Sequence, residues 1–242
     1  MDIAEYARGM KIPSSICFSS KRNTGKTVMV NALVKALVNQ GKVDSVIIFS
    51  NTVKYNKDYP DFPDAIKMEY DEEKLKRLIE HQKRTPRERR KQVLVVLDDL
   101  LGDTSVKADL LMSVFATSRH YFITPILICQ IANRLLSPTA KANSDYLFIS
   151  RLNRQQMTSI WETSVTNIDK TDFISMVEGI NKNYNFLVID NTSQSNEPEE
   201  FLAIVYVADA GKEGKKGEEK EDEEKKPGGE SGDILKKNLK VE

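Results

Sequence analysis

Apolar residues along the chain form short continuous runs that alternate with stretches of helical periodicity. The runs have the length of strands and occupy residues 14–19, 45–50, 93–97, 123–129, 145–149, 185–189 and 201–207. The middle runs are apolar throughout, which is typical of strands that helices cover on both faces. Helical periodicity between the runs predicts helices over 26–40, 71–84, 106–120, 153–163 and 169–182. This alternation predicts an α/β fold with a mostly parallel sheet.

The two ends of this pattern carry further signals. Gly41 follows the first predicted helix and is suited to end it. The last two predicted strands are joined by the polar sequence DNTSQSNEPEE. Their direct succession predicts a long hairpin that closes one edge of the sheet.

Charge divides the chain into two unlike parts. The 242 residues contain 36 Lys+Arg and 36 Asp+Glu, so the formal net charge is zero. Residues 209–242 hold 9 basic and 11 acidic residues and almost no apolar ones before Ile234, so we expect a disordered tail. Its last residues, DILKKNLKVE, are either a short docking segment or part of a solubilising tail. Residues 1–208, with a net charge of +2, are expected to form a single domain.

Several classes of protein are excluded by what the chain lacks. No apolar run reaches the roughly 18–20 residues of a transmembrane helix. The N-terminal sequence MDIAEYARGMKIP has early acidic residues and no apolar core, so we expect no signal peptide. Cys17 and Cys129 lie in apolar strands and are interpreted as reduced core thiols of a reducing compartment. With only His81 and His120 beside them, no zinc ligand set can be assembled.

The strongest local signal is the sequence SSKRNTGKTVMV, which joins a predicted strand to a predicted helix. In this setting Gly-Lys-Thr is typical of a loop that binds the phosphates of a nucleoside triphosphate. Backbone N–H groups and the helix dipole would hold the phosphates, and the lysine would reach the β- and γ-phosphates. The threonine hydroxyl would coordinate Mg²⁺. The predicted nucleotide-binding residues are Ser20, Lys21, Arg22, Asn23, Thr24, Gly25, Lys26, Thr27 and Val28.

Ser20 and Arg22 distinguish this loop from the usual motif. The usual motif has glycine where this chain has Ser20, so the first turn of the loop must differ from the usual one. Arg22 lies inside the loop, where an arginine can stabilise negative charge on the γ-phosphate of the same subunit. The alternative is that Arg22 faces solvent or an adjoining subunit.

A second motif, VLVVLDDL, is a buried strand that ends in two carboxylates. The carboxyl end of a strand is where α/β sheets bind ligands. We expect Asp98 to hold the hydration shell of Mg²⁺ and Asp99 to act as the general base that orients the attacking water. Asp103 is better explained as a cap of the following helix.

Polar residues around the next strand complete the predicted site. Gln130 ends the strand ITPILICQ, where its amide can sense the γ-phosphate or the attacking water. Arg119 ends the preceding predicted helix, where it either complements the helix dipole or enters a neighbouring subunit's site as an arginine finger. Arg151 and Arg154 are alternative candidates for the finger.

Taken together, these motifs resemble those of the poxvirus-type genome-packaging ATPases of large DNA viruses and virophages. The similarity rests on NTGKT, SVIIFSNTVKYNKDYP, VLVVLDDLLGD and SRHYFITPILICQ in that order, and extends over about residues 12–208. That family belongs to the FtsK–HerA division of P-loop motors. The resemblance implies a RecA-like core, a homo-oligomeric ring, and ATP-driven translocation of double-stranded DNA into a capsid. It further implies Gln130 as the sensor and Arg119 as the finger acting in trans.

Two features depart from the family pattern. The phosphate loop lacks the glycine-rich start of the poxvirus members, and with Arg22 it looks more like the loop of large terminase subunits of tailed phages, where that arginine acts in cis. Terminases also carry a C-terminal nuclease domain, and the polar residues after 208 are too few for one.

A basic stretch, KRTPRERRK at residues 83–91, is the candidate DNA contact. It holds six basic residues and one acidic residue. Clustered positive charge binds phosphates without reading sequence, as a translocating motor requires. Arg87, Arg89 and Arg90 are the predicted contacts; the alternative is a solvated loop.

The sequence therefore predicts an ATP- and Mg²⁺-dependent motor that packages double-stranded viral DNA as a pentameric or hexameric ring. The expected partners are DNA, further copies of the chain and a capsid or virion protein, in the virion or in a cytoplasmic viral factory. One alternative is another FtsK–HerA-type translocase or helicase from a mobile element. The other is a nucleotide-binding assembly factor that hydrolyses little.

Overall fold

A computed structural model describes residues 1–52, 59–63, 66–98, 100, 108–129, 143–180 and 184–208. Its strands are β1 (Ile16–Ser20), β2 (Ser45–Ser50), β3 (Lys67–Met68), β4 (Val93–Asp98), β5 (Ile123–Cys129), β6 (Tyr146–Ser150), β7 (Phe186–Asp190) and β8 (Leu202–Val205). Its helices are α1 (Ile3–Gly9), α2 (Lys26–Asn39), α3 (Glu72–Arg84), α4 (Ala108–Thr117), α5 (Arg154–Ser164), α6 (Lys170–Gly179) and α7 (Pro198–Phe201). Two 3₁₀ turns span Arg87–Arg89 and Ser118–Tyr121.

The eight strands form one sheet in the order β3-β2-β4-β5-β1-β6-β7-β8. The strands from β3 to β6 in this order are all parallel, whereas β7 is antiparallel to both β6 and β8. The predicted mostly parallel sheet with an edge hairpin is therefore confirmed. Strand β5 lies between β1 and β4, so the tips of these three strands are neighbours at the carboxyl edge of the sheet.

Helices cover the sheet on both faces. Along β4, Leu94 and Val96 pack into one apolar cluster with α1 and α2, whereas Val93, Val95 and Leu97 pack into another cluster with α3, α4, α5 and α6. Side chains of a strand point alternately to opposite faces, so a continuously apolar strand fills both clusters. The result is a three-layer α/β/α domain.

Side-chain caps account for the first residues of three helices. The carboxylate of Asp71 accepts hydrogen bonds from the N–H groups of Glu73 and Lys74 at the start of α3. Asn153 and Gln156 form a capping box at α5, and Asp169 caps α6. These contacts satisfy N–H groups that have no partner within a helix.

The structure also refines the predicted elements. The helix predicted over 106–120 is α-helical only to Thr117 and continues as a 3₁₀ turn, which Phe122 ends with a left-handed φ of 60°. The sequence analysis did not predict helices α1 and α7 or strand β3, because these elements are too short to give a clear periodic pattern. The predicted tail, 209–242, and Asp103 lie outside the described residues, so the domain boundary at 208 stays a prediction. Among the described helices, none is long and apolar enough to cross a membrane.

Candidate functional site

The loop between β1 and α2 curls around the start of the helix with two left-handed residues. Gly25 has φ +80° and Asn23 has φ +56°. Asparagine tolerates this conformation better than most residues, while Ser20 stays in the strand. The loop therefore makes its turn at Asn23 and Gly25, which explains how it can dispense with a glycine at position 20.

Hydrogen bonds among its own residues hold this loop closed. The Lys26 ammonium donates to the carbonyl oxygens of Ser20 at 2.9 Å and Lys21 at 2.5 Å. The Thr24 hydroxyl donates to the Lys21 carbonyl at 2.8 Å and lies 2.5 Å from the Ser20 hydroxyl. Lys26 and Thr24 are buried, whereas Lys21, Arg22 and Asn23 are exposed.

The start of α2 has the properties of an anion-binding site. Its N-cap is Gly25, and no side chain caps it. The first N–H groups of a helix need an acceptor, and the helix dipole favours a negatively charged one. The Lys26 ammonium adds a positive charge beside them. A chain of phosphates is the ligand that these groups suit best.

The carboxylate of Asp98 lies at the carboxyl end of β4, in register with Ser50 of β2 and Ile128 of β5. Only 7% of Asp98 is exposed. Its Oδ2 accepts a hydrogen bond of 2.7 Å from the hydroxyl of Tyr59, a fully buried residue with a left-handed φ of 60°. Sequence reasoning assigned no role to Tyr59 because the segment around it has no helix or strand periodicity and its partner lies thirty-nine residues later in the chain.

The end of β5 brings the loop and this carboxylate together. Burial raises the pKa of the Cys129 thiol; Cys17 and the charge of Asp98 raise it further, and the charge of Lys26 lowers it. The strand register agrees, because Ser19 of β1 pairs with Cys129 and Asp98 of β4 pairs with Ile128, so the start of the phosphate loop and this carboxylate flank the tip of β5. The predicted base Asp99 and sensor Gln130 directly follow Asp98 and Cys129 in sequence, and both lie outside the described residues. Cys17 and Cys129 are buried free thiols, as predicted.

The residues at this edge fit a magnesium ion. Asp98 supplies a carboxylate and Thr27, in the first turn of α2, supplies a hydroxyl. Mg²⁺ prefers oxygen ligands and is usually held by one or two carboxylates together with substrate phosphates and water. The described residues contain no group of three His, Cys, Asp or Glu side chains that could hold a metal alone. The donor set therefore fits a metal that binds together with a nucleotide.

The candidate arginine finger Arg119 lies at the amino edge of the sheet, where the parallel strands begin. The phosphate loop lies at the opposite, carboxyl edge. Arg119 occupies the 3₁₀ turn just before β5, where its guanidinium donates to Asp145 at 2.9 Å. A strand of seven residues spans about 20 Å, which separates Arg119 from the phosphate loop of its own subunit.

Arg151 lies on the loop's side of the sheet. It follows Ser150, which is in register with Ser20 of β1, and it is exposed with a left-handed φ of 47°. Arg154 is exposed at the start of α5, 3.6 Å from Glu178.

The basic stretch 83–91 also lies at the amino edge; it begins in the last turn of α3 and ends just before β4. Arg87 and Arg89 are exposed. Arg90 instead donates to the carbonyl oxygens of Thr85, His120 and Lys83, and its guanidinium lies 5.8 Å from the ring centre of Tyr121. Arg90 therefore connects the basic stretch to the 3₁₀ turn Ser118–Tyr121. DNA contact by Arg87, Arg89 and Arg90 stays a prediction.

The fold and the site together define the class of the protein. A phosphate loop on β1, an acidic residue at the tip of β4, and a strand between them are the features of a RecA-like P-loop NTPase. The profile of the family described as Poxvirus A32 protein matches residues 5–219. The chain therefore belongs to this family, and the predicted relationship and ATPase class are confirmed. No curated protein matches the chain in sequence.

Solved structures agree with this fold. The genome packaging NTPase B204 from Sulfolobus turreted icosahedral virus 2, in complex with ATP-gammaS, is 15% identical and covers 82% of this chain and 99% of its own, with a TM-score of 0.56. The conjugation coupling protein TcpA of pCW3 is 16% identical over 81% of this chain and 61% of its own, with a TM-score of 0.55. ATPases 2 and 3 of EssC from Geobacillus thermodenitrificans are 14% identical over 73% of this chain and 37% of their own, with a TM-score of 0.51.

Proposed function

We propose that the protein is an ATP-hydrolysing motor that packages double-stranded viral DNA into a preformed capsid. The observation that carries the proposal is the placement of Lys26 and Asp98 around the end of β5, at one edge of the sheet. Membership of the Poxvirus A32 family and the fold shared with a genome packaging NTPase support the packaging role.

The chain's own residues account for nucleotide binding and for the chemistry. The N–H groups at the start of α2 bind the phosphates, and Lys26 exchanges its carbonyl partners for phosphate oxygens. Thr27 and Asp98 would hold Mg²⁺, which supplies positive charge to the phosphates when bound. Asp99 orients and polarises the attacking water, and Gln130 senses the γ-phosphate. Arg22, exposed within the loop, stabilises charge that develops on the γ-phosphate.

The remaining assignments concern partners. Double-stranded DNA contacts Arg87 and Arg89, which are exposed at the amino edge, and the neighbouring Arg90. Copies of the chain form a ring in which Arg119, about 20 Å from its own loop, enters the site of a neighbour. A capsid or virion protein anchors the ring in the virion or viral factory.

The test is the ATPase rate of the purified full-length protein with and without duplex DNA, measured beside the oligomer mass. We expect DNA to stimulate hydrolysis and the Lys26→Ala and Asp99→Ala variants to lose it. Lys35→Ala, which removes an ion pair with Asp61 outside the site, is the control that should keep the wild-type rate. Undiminished hydrolysis in Lys26→Ala would refute the assignment of the site. An ATPase rate that is the same with and without DNA would refute the assignment as a DNA motor. The protein would then be better explained as a nucleotide-dependent assembly factor.

A further inference from the structure

Large apolar side chains that stay exposed lie in two places in the described part of the chain. Met1, Ile204 and Tyr206 are at the β8 edge of the sheet. Val28 and Tyr184, which are 44% and 47% exposed, lie beside the phosphate loop. Exposed apolar surface next to a polar site often belongs to a ligand-binding site.

Tyr184 is held against the loop itself. A Cβ built on Gly25 would lie 2.9 Å from Cδ1 of Tyr184 and 3.3 Å from its Cβ, so the tyrosine side chain packs on the glycine. Tyr184 has a left-handed φ of 56°, an uncommon conformation for an aromatic residue. Phe186, two residues later, is fully buried in β7 and anchors the segment. Such backbone persists where the surroundings enforce it, often at ligand sites.

The order of the strands gives the direction in which a bound nucleotide points. Asp98 on β4 lies on one side of β1, and β6 and β7 lie on the other. The terminal phosphate and its metal face Asp98, so the ribose and base face β6 and β7. Tyr184, two residues before the start of β7, lies on that side. Val28 follows Lys26 and Thr27 in the first turn of α2.

We propose that Tyr184 is the platform on which the base of the bound nucleotide stacks. The inference rests on the proposed nucleotide site and adds the residues that recognise its base. An aromatic ring offers its face to any base, and stacking needs no further hydrogen bond.

The test compares two ligands that share phosphates and differ in the base. Dissociation constants of Mg·ATP and of inorganic tripolyphosphate are measured by calorimetry for the full-length wild-type protein and for Tyr184→Ala. We expect Tyr184→Ala to weaken ATP binding by at least about five-fold, the lower end for stacking on an aromatic ring. Tripolyphosphate binding should be unchanged, and Tyr184→Phe should bind both ligands as the wild type does.

Tyr206→Ala is the matched control. Tyr206 is 42% exposed, close to the value for Tyr184, and lies at the β8 edge away from the loop. This variant should bind both ligands normally. Equal weakening of ATP and tripolyphosphate in Tyr184→Ala would overturn the platform and show that the ring only supports Gly25. Unchanged ATP binding in Tyr184→Ala would also overturn the stacking platform. DNA-stimulated hydrolysis, measured in parallel, tests the proposed function separately.

Discussion

The hydrogen bond from Tyr59 to Asp98 should be worth a measurable part of the protein's stability and of its affinity for metal. Tyr59→Phe removes one oxygen atom and keeps the buried ring, so it creates no large cavity. The bond is 2.7 Å long, and both residues are buried. A hydrogen bond to a charged group contributes roughly 1.5–3 kcal/mol, and removing the donor leaves a buried carboxylate with one partner fewer.

A double-mutant cycle separates this bond from other effects of the substitution. Urea unfolding without nucleotide is measured for the wild type, Tyr59→Phe, Asp98→Ala and the double variant. We expect Tyr59→Phe to lower the free energy of unfolding by about 2 kcal/mol in the wild type and by almost nothing in the Asp98→Ala background. Equal losses in the two backgrounds would refute the reasoning, because the hydroxyl would then act independently of Asp98.

The same substitution should affect metal binding in the proposed site. Partners that orient a metal-binding carboxylate typically contribute 10–100-fold to metal affinity. The Mg²⁺ concentration that gives half-maximal ATPase activity should therefore rise by about that factor in Tyr59→Phe. Tyr206→Phe, which removes a hydroxyl from a half-exposed ring far from the site, should leave it unchanged.

The arginines and a buried thiol give three more predictions. Mixing Arg119→Ala subunits with Lys26→Ala subunits should restore part of the ATPase activity, because a mixed ring contains sites that have both an intact loop and a neighbour's arginine. Replacing Arg87 and Arg89 by alanine should lower the slope of log affinity for duplex DNA against log salt by about 0.9 for each DNA phosphate that the variant no longer neutralises. Burial raises the pKa of the Cys129 thiol above its ordinary value of 9.0, so the contribution of this group to stability should be constant below pH 9 and fall above it. One such group gives a slope of up to about 1.4 kcal/mol per pH unit in urea unfolding.

Each of these predictions has a control. Asp145→Asn weakens the ion pair of Arg119 but keeps the arginine, so it separates the finger from the fold; absence of rescue at every mixing ratio would leave Arg22 or Arg151 as the candidate. Alanine at the exposed Arg8 and Lys11 removes the same charge elsewhere, and a salt slope equal to that of the Arg87 and Arg89 variant would contradict a local DNA contact. Cys129→Ala should flatten the stability profile above pH 9, and a profile that stays steep would assign it to other groups.

The sequence predicts the sheet and the phosphate loop well because both depend on local patterns. An apolar run of strand length and the Gly-Lys-Thr motif can each be recognised from a few adjacent residues. Tyr59 and Tyr184 could not be found in this way. Each is a tyrosine in a left-handed conformation whose partner, Asp98 or Gly25, is distant in the chain. Arg90 is the opposite case. The sequence shows its positive charge within a basic run, but it does not show the three carbonyl oxygens that accept hydrogen bonds from its guanidinium.

The sheet also divides the candidate arginines between two roles. Arg22 lies in the phosphate loop and Arg151 follows β6 at the same edge, so both are on the side of their own subunit's nucleotide. Arg119 is at the amino edge, about 20 Å away along β5, together with the basic stretch that Arg90 ties to its 3₁₀ turn. An arginine there can act on a nucleotide only in another subunit. Arg90 joins the turn of Arg119 to the segment of Arg87 and Arg89, so in the proposed ring the candidate finger and the candidate DNA contacts would belong to one packed unit.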